Sequence, residues 1–159
     1  MGLFDKIKSV ANMVTGGAAE VVASIDHDGE LVLGEPFKIR VQALAKSNLS
    51  IDKVYLKLKS EERVEVEGIE VEYEEDGERE IEHTIARKTT VTYEHELLVA
   101  GPQTLNDGET YEWEIEVSIP ENNNGTYRGI HAKHEWKFFV GLDAFGNDPD
   151  TGWIPFEIY

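Results

Sequence analysis

The sequence predicts an all-β protein, an antiparallel β-sandwich that follows a short N-terminal helix. Between residues 110 and 119 apolar residues alternate with polar ones, mostly glutamates, and a second alternation runs from residue 130 to residue 142. A period of two places successive side chains on opposite faces of a β-strand, so each strand has one apolar face. Because a single sheet would leave that face in water, we expect a second sheet to cover it.

Length and composition indicate a single cytoplasmic domain. The chain has 159 residues, a size that buries roughly 70% of the unfolded surface and can form a core without crosslinks. It contains no cysteine, which excludes disulfides and thiolate sites. The formal charge of -17 argues against nucleic acid as a partner, since phosphate binding needs a basic surface. No apolar run approaches the roughly 20 residues of a membrane span, and no secretory signal is visible, so we expect a cytoplasmic location.

Residues 1–17 are predicted to form an amphipathic helix that ends at Gly16 and Gly17, and residues 18–159 to form the sandwich domain. The apolar residues of this helix recur every three or four positions and include Leu3, Phe4, Ile7, Val10 and Val14. The helix would either lie in a membrane interface or dock on the sandwich or on a second subunit. We favour docking, because anionic lipid repels the acidic body of the chain.

The strands are predicted from the same alternation, taken in order along the chain. Short and long strands are expected over residues 21–25, 35–45 and 54–66, and a final short strand over residues 154–158. The apolar positions change from even to odd numbers at Gly68, which predicts a β-bulge or bend there. After the next turn one long strand is expected from Ile81 to Leu97.

Asp76 and Gly77 mark the turn of a long acidic hairpin. A two-residue turn would mix apolar and charged residues on both faces, whereas a three-residue loop with a left-handed Gly77 pairs Tyr73 with Arg79 and keeps one face apolar. That register sets glutamates opposite one another, with Glu70, Glu72 and Glu74 facing Glu82, Glu80 and Glu78. Each pair of opposed like charges destabilises a sheet by up to about 1 kcal/mol. The acidic face is therefore either a solvated surface that discourages aggregation or a binding site for cations or a basic partner.

Several short motifs lie at the predicted strands and turns: Gly34-Glu35, residues 51–58 (IDKVYLKL), Asp107-Gly108-Glu109, Ile119-Pro120, residues 125–129 (GTYRG) and Gly141-Leu142-Asp143. Together they resemble the arrestin-like N-terminal domain and, within that group, the bacterial and archaeal sporulation-control protein family. Members of this family similarly open with a short amphipathic helix that ends in glycines. The resemblance implies an immunoglobulin-like (arrestin-type) β-sandwich that binds partners in a regulatory role and has no catalytic signature.

Two further groups of residues are candidates for special roles. The loop of residues 142–150 offers oxygen ligands for calcium from Asp143, Asn147, Asp148 and Asp150, although the same residue types also form ordinary turns. His83, His95 and His134 occupy positions expected to face inward, where hydrogen-bonded structural roles are favoured over metal binding. No nucleophile elbow or phosphate-binding glycine loop is visible, so we expect neither an enzyme nor a cofactor.

The predicted function is therefore a non-catalytic protein-interaction or scaffold module with a regulatory role. The surface expected to select the partner is the acidic hairpin from Glu70 to Glu82, and a protein with a basic surface is the expected partner. Two alternatives stay open: a surface module tuned by calcium or other cations, and a structural protein that self-assembles into a homo-oligomer. A cytoplasm of high salt concentration would explain the acidity without any partner.

Overall fold

The computed structural model describes residues 17–159, and the regular structure in this range consists of β-strands. In chain order the strands are β1 (Ala19–Asp26), β2 (Pro36–Ala45), β3 (Leu49–Tyr73), β4 (Arg79–Ala100), β5 (Gln103–Leu105), β6 (Thr110–Ser118), β7 (Tyr127–Arg128), β8 (Ala132–Ala144) and β9 (Ile154–Phe156). The predicted N-terminal helix falls on residues that lie, apart from Gly17, outside the described range.

The strands form two antiparallel sheets that pack face to face. The smaller sheet has the order β1-β2-β6, and the main path of the larger, six-stranded sheet is β4-β3-β8-β7. In the larger sheet, β5 also pairs with β3 and β9 also pairs with β8. Buried apolar side chains from both sheets form one continuous cluster between them. The prediction of an antiparallel β-sandwich is therefore confirmed.

The core is built from the alternating residues on which the prediction rested. Trp136 and Phe138 of β8 are each 1% exposed, and Ile39 of β2 is fully buried opposite them. Phe156 of β9 joins the two sheets, because its ring lies 5.9 Å from Phe138 and 6.0 Å from Phe37 of β2, measured between centroids. Aromatic contacts at these distances add to the stabilisation that comes from burying apolar surface.

β3 and β4 extend past the sandwich as a two-stranded arm. β8 pairs with β3 only as far as Val64, so from residue 66 to residue 86 the hairpin has no third strand beside it among the described residues. We call residues 66–86 the arm and residues 69–83 its tip. Tyr73 pairs with Arg79, and Gly77 in the turn has a φ of 85°. The predicted turn and register are therefore confirmed.

The predicted bulge at Gly68 is wrong. Gly68 pairs with Thr84 in a ladder that stays in register from Glu61 to Tyr73. The apolar positions change from even to odd at this point because they change face, not because a residue is inserted. The absence of a side chain at Gly68 accommodates Thr84, whose Oγ1 would lie 3.0 Å from an added Cβ.

The bulge lies instead at the root of the arm. Ser60 pairs with Tyr93 and Glu61 pairs with Val91, so Thr92 is the extra residue on β4. Odd-numbered residues of β4 therefore point outward before the bulge and inward after it. This reversal explains why Tyr93 packs against the core, whereas Val91, at the same sequence parity, is 46% exposed.

Candidate interaction surface: the arm and its base

One face of the tip is acidic. The structure brings all six predicted glutamates to this face, with Glu70 opposite Glu82 and Glu72 opposite Glu80 on adjacent strands. The turn carries the third pair, where the Glu74 N–H donates to the Glu78 carbonyl at 3.1 Å. All six side chains are exposed, and none forms an ion pair with any residue between 17 and 159. Their mutual repulsion is therefore moderated only by solvent and salt.

The other face of the tip and the adjoining part of the arm is apolar and exposed. Its apolar side chains are Ile69, Val71, Tyr73, Ile81 and Ile85, whose exposed fractions run from 37% for Val71 to 73% for Tyr73, and His83 lies among them, opposite Ile69. Arg79 lies over the edge of this face, with its guanidinium carbon 6.0 Å from the centre of the Tyr73 ring. A contiguous group of large apolar side chains in water is typical of a surface that meets another molecule.

The sequence predicts the acidic face of the tip but not the exposure of its apolar face. Alternation looks the same whether or not a second sheet covers the strand, so it does not distinguish Ile69, Val71 and Tyr73 from residues of a half-buried strand. The change of parity at Gly68 was the available signal. It marks the place where the apolar residues of β3 leave the face that continues into the sandwich core.

A basic pocket lies at the base of the arm, between β3, β4 and the turn that joins β7 to β8. Its volume is about 640 Å³, and Glu65 is the one carboxylate among its lining residues. Its cationic lining residues are Arg63, Arg87, Lys88, Arg128 and Lys133. The sequence does not predict this pocket, because its cations come from three separate stretches of the chain and form no basic run.

The rim of the basic pocket corrects one sequence expectation. Ile130 begins the predicted alternation of residues 130–142 and was placed with the inward-facing residues. It is 95% exposed, because it lies in the turn before β8 starts at Ala132. It contributes an apolar group to the lining of an otherwise cationic pocket.

Glu61 holds the root of the arm on the outer face of the larger sheet. Its carboxylate lies 2.9 Å from Lys59 Nζ and 2.9 Å from Lys137 Nζ, and its side chain is only 13% exposed. The hydrogen bonds from these two ammonium groups lower the pKa of Glu61 to about 2. Because Lys137 belongs to β8, this pair ties the arm-bearing strand β3 to the centre of the sheet.

Of the proposed calcium ligands Asp143, Asn147, Asp148 and Asp150, the last two accept hydrogen bonds that hold this segment of the chain. Asp148 accepts hydrogen bonds from the Tyr55 hydroxyl at 2.9 Å and from the Ala144 N–H at 3.1 Å. Asp150 accepts one from the Gly152 N–H at 2.7 Å. Burial and the bond to Asp148 raise the pKa of Tyr55. No group of three or more His, Cys, Asp or Glu side chains with the arrangement of a metal site occurs in residues 17–159.

Of the three histidines expected to face inward, only His134 is buried. Its Nε2 lies 2.7 Å from Thr92 Oγ1, which in turn lies 2.8 Å from Ser60 Oγ, and its Nδ1 lies 3.0 Å from the Gly125 carbonyl. This chain of hydrogen bonds satisfies the buried polar atoms beside the bulge. His83 and His95 are exposed, because β4 is an edge strand and the arm has no covering layer.

The described residues contain no helix long and apolar enough to cross a membrane. The predicted membrane or docking residues Leu3, Phe4, Ile7, Val10 and Val14 lie outside the described range.

Comparison with known proteins identifies the architecture. No family model matches the chain, and no curated protein matches it in sequence. Among solved structures, the sporulation control protein Spo0M from Bacillus subtilis is similar, with a TM-score of 0.60 and 20% sequence identity over 89% of this chain. This chain shares the fold of Spo0M. The predicted arrestin-type sandwich and the resemblance to sporulation-control proteins are therefore confirmed at the level of fold. The chain spans about half of Spo0M, 49% of its length.

Proposed function

We propose that this chain is a non-catalytic protein-binding module with a regulatory role, and that the tip of its arm selects the partner. The observation that carries the proposal is the two-sided tip. Six glutamates without an ionic partner among residues 17–159 lie on one face, and a group of exposed apolar side chains lies on the other. A catalytic site usually needs a concave pocket in which polar groups converge. The tip instead offers a projecting surface, which suits docking against another macromolecule.

The likeness to Spo0M supports the regulatory part of this proposal. Spo0M is a sporulation control protein of Bacillus subtilis. We extend a regulatory role from Spo0M to this chain because the two share the sandwich fold. The cytoplasmic location also remains a prediction.

The chemistry of the tip defines the expected partner as a protein with lysines or arginines beside apolar side chains. Opposite charge on the partner speeds association and relieves the repulsion among the six glutamates. Apolar contact with Ile69, Val71 and Ile81 supplies affinity in proportion to the area buried. The arm also has strand edges that pair with no other strand of residues 17–159, where an extended segment of the partner can add as a further strand.

Capture from a native lysate tests the proposal. The wild-type chain is compared with a tip variant, in which Glu72, Glu74, Glu78 and Glu80 are changed to Lys. We expect the wild-type chain to retain specific proteins and the tip variant to lose them. A sandwich variant serves as the matched control, because it has the same change in net charge at exposed positions away from the arm. In the sandwich variant, Glu30, Glu35, Glu116 and Glu121 are changed to Lys.

A second variant tests the apolar face separately. Ile69→Thr, Val71→Thr and Ile81→Thr remove apolar area from the tip while they keep residues that favour β-strands. Capture should fall although the charge of the tip is unchanged. The proposal fails if the tip variant captures as well as the wild-type chain. It also fails if the sandwich variant loses capture to the same extent, since net charge alone would then explain the binding.

A further inference from the structure

We infer that the acidic tip of one copy of this chain docks in the basic pocket of a second copy. The inference names a partner for the tip and so rests on the proposed function. Two observations lead to it. The chain has a formal charge of -17, yet five of the residues that line one pocket are cationic. The same chain also has six glutamates that lack ionic partners among residues 17–159.

Three of the five cations of the basic pocket are available to an incoming anionic group, since Arg87 and Lys133 already pair with Glu65 at 2.7 Å and with Glu135 at 3.1 Å. Lys88 forms no ion pair within residues 17–159. Arg63 and Arg128 have only long contacts with carboxylates, 3.7 Å to Glu61 and 3.8 Å to Glu135. Arginine presents five N–H donors in a planar fork, so these guanidinium groups keep donors free for additional carboxylates.

The tip cannot reach the pocket of its own chain. About nine residues separate Val64, at the pocket, from Tyr73, at the end of β3, and a strand rises about 3.4 Å per residue. The tip is therefore held roughly 30 Å away from the pocket along a continuous two-stranded ladder. A second molecule must supply either the tip or the pocket.

Two arms that run antiparallel to each other satisfy both contacts at once. The distance from tip to pocket is the same in each copy, so the tip of the first copy meets the pocket of the second while the reverse contact also forms. Such an arrangement has two-fold symmetry and closes as a dimer.

The overall negative charge of the two chains does not prevent this contact in physiological salt. Screening reduces interactions between exposed charges beyond about 8 Å at that ionic strength. Direct contacts between the glutamates of the tip and the cations of the pocket lie within that distance. Docking also replaces repulsion within the tip by attraction across the interface.

Sedimentation velocity of the purified chain tests the inference without any other protein. We expect a monomer–dimer equilibrium whose dimer weakens as salt is added. The tip variant should weaken the dimer about tenfold or more, and so should a pocket variant that carries Arg63→Glu, Lys88→Glu and Arg128→Glu. The sandwich variant should dimerise at least as well as the wild-type chain, because its substitutions lie away from both contacts.

A mixture of the tip and pocket variants provides the decisive measurement. In each variant alone the tip and the pocket carry the same sign of charge. In the mixture each tip meets a pocket of opposite sign, so we expect a heterodimer although neither variant dimerises alone. Circular dichroism confirms that both variants keep the β-sheet spectrum of the wild-type chain.

Three results would overturn the inference: a wild-type chain that stays monomeric at every concentration and salt level, a dimer that survives in either variant, or a mixture that forms no heterodimer. Each of them leaves the capture experiment intact, because a tip that fails to bind a second copy can still bind a different protein. If the wild-type chain captures no specific protein from the lysate while its dimer behaves as expected, only the proposed binding of a different protein is rejected.

Discussion

Replacing Glu61 by Gln should reveal how strongly the root of the arm is held by charge. Glutamine keeps the size of the side chain and one carbonyl oxygen that can accept from a lysine, but it removes the negative charge. The substitution therefore tests the attraction of Lys59 and Lys137 for the carboxylate, whose distances to both are 2.9 Å. Burial is nearly unchanged, so packing should contribute little to the difference.

The size of the effect follows from the pKa. A fall from 4.5 to about 2 corresponds to about 3 kcal/mol, at about 1.4 kcal/mol for each pH unit. Partly exposed ion pairs usually contribute up to about 1 kcal/mol each, so we expect a loss of about 1 to 3 kcal/mol at neutral pH. Since the folded-state pKa is depressed, this stabilisation is complete above pH 4.5 and is lost as the pH falls through about 2.

Urea unfolding at a series of pH values measures this difference. Other carboxylates of this acidic chain titrate in both proteins, so their contributions cancel when the variant is subtracted from the wild type. The gap in the free energy of unfolding should be constant from neutral pH to about pH 5 and should close near pH 2. Glu65→Gln is the control, because Glu65 pairs with Arg87 at a side-chain exposure of 57% and should show little gap. A Glu61 gap that does not change with pH would refute the charge-based explanation.

Three further predictions concern the sandwich and the tip. Gly141→Ala should destabilise the fold by about 1 to 3 kcal/mol in urea unfolding, because the new Cβ would lie 2.5 Å from Cζ of the buried Tyr55 ring and must displace it; an unchanged midpoint would contradict this close packing. Phe138→Ala should cost about 3 to 5 kcal/mol by the same assay, since Phe138 is 1% exposed at the centre of the aromatic core; a loss below about 1 kcal/mol would show that the site collapses around the cavity. Glu80→Lys should turn the repulsive pair with Glu72 into an attractive one and slow amide hydrogen exchange in the tip by about two- to tenfold; unchanged exchange would mean that salt already screens this pair.

The sequence was sufficient to predict the sandwich and the register of the tip, because both depend on local alternation. Period two in β6 and β8 is strong, and a one-residue slip of the hairpin would have mixed apolar and charged residues on each face. This register requires a three-residue loop with Gly77 in the left-handed conformation, and the structure contains that loop. These features need no knowledge of what lies above or below a strand.

The features that were missed all depend on how distant parts of the chain meet. Thr92 lies in the bulge, and its sequence neighbours give no sign that β4 changes face there. The basic pocket joins Arg63, Lys88 and Arg128, which come from three separate stretches of an acidic sequence. The exposure of Ile69 follows from where β8 stops pairing with β3. Alternation within β3 shows a change of face at Gly68, but it does not show where the pairing with β8 ends.

The arm combines features that each lower its stability when it stands alone. An isolated two-stranded hairpin is marginally stable in water, opposed glutamates repel, and uncovered apolar side chains favour association. Solubility alone would explain the acidic face but not the apolar one, since charged or polar residues on both faces would serve better. A partner with cations and apolar groups relieves the repulsion and covers the apolar face in a single contact. The two faces of the tip together therefore favour a docking surface over a solvated edge.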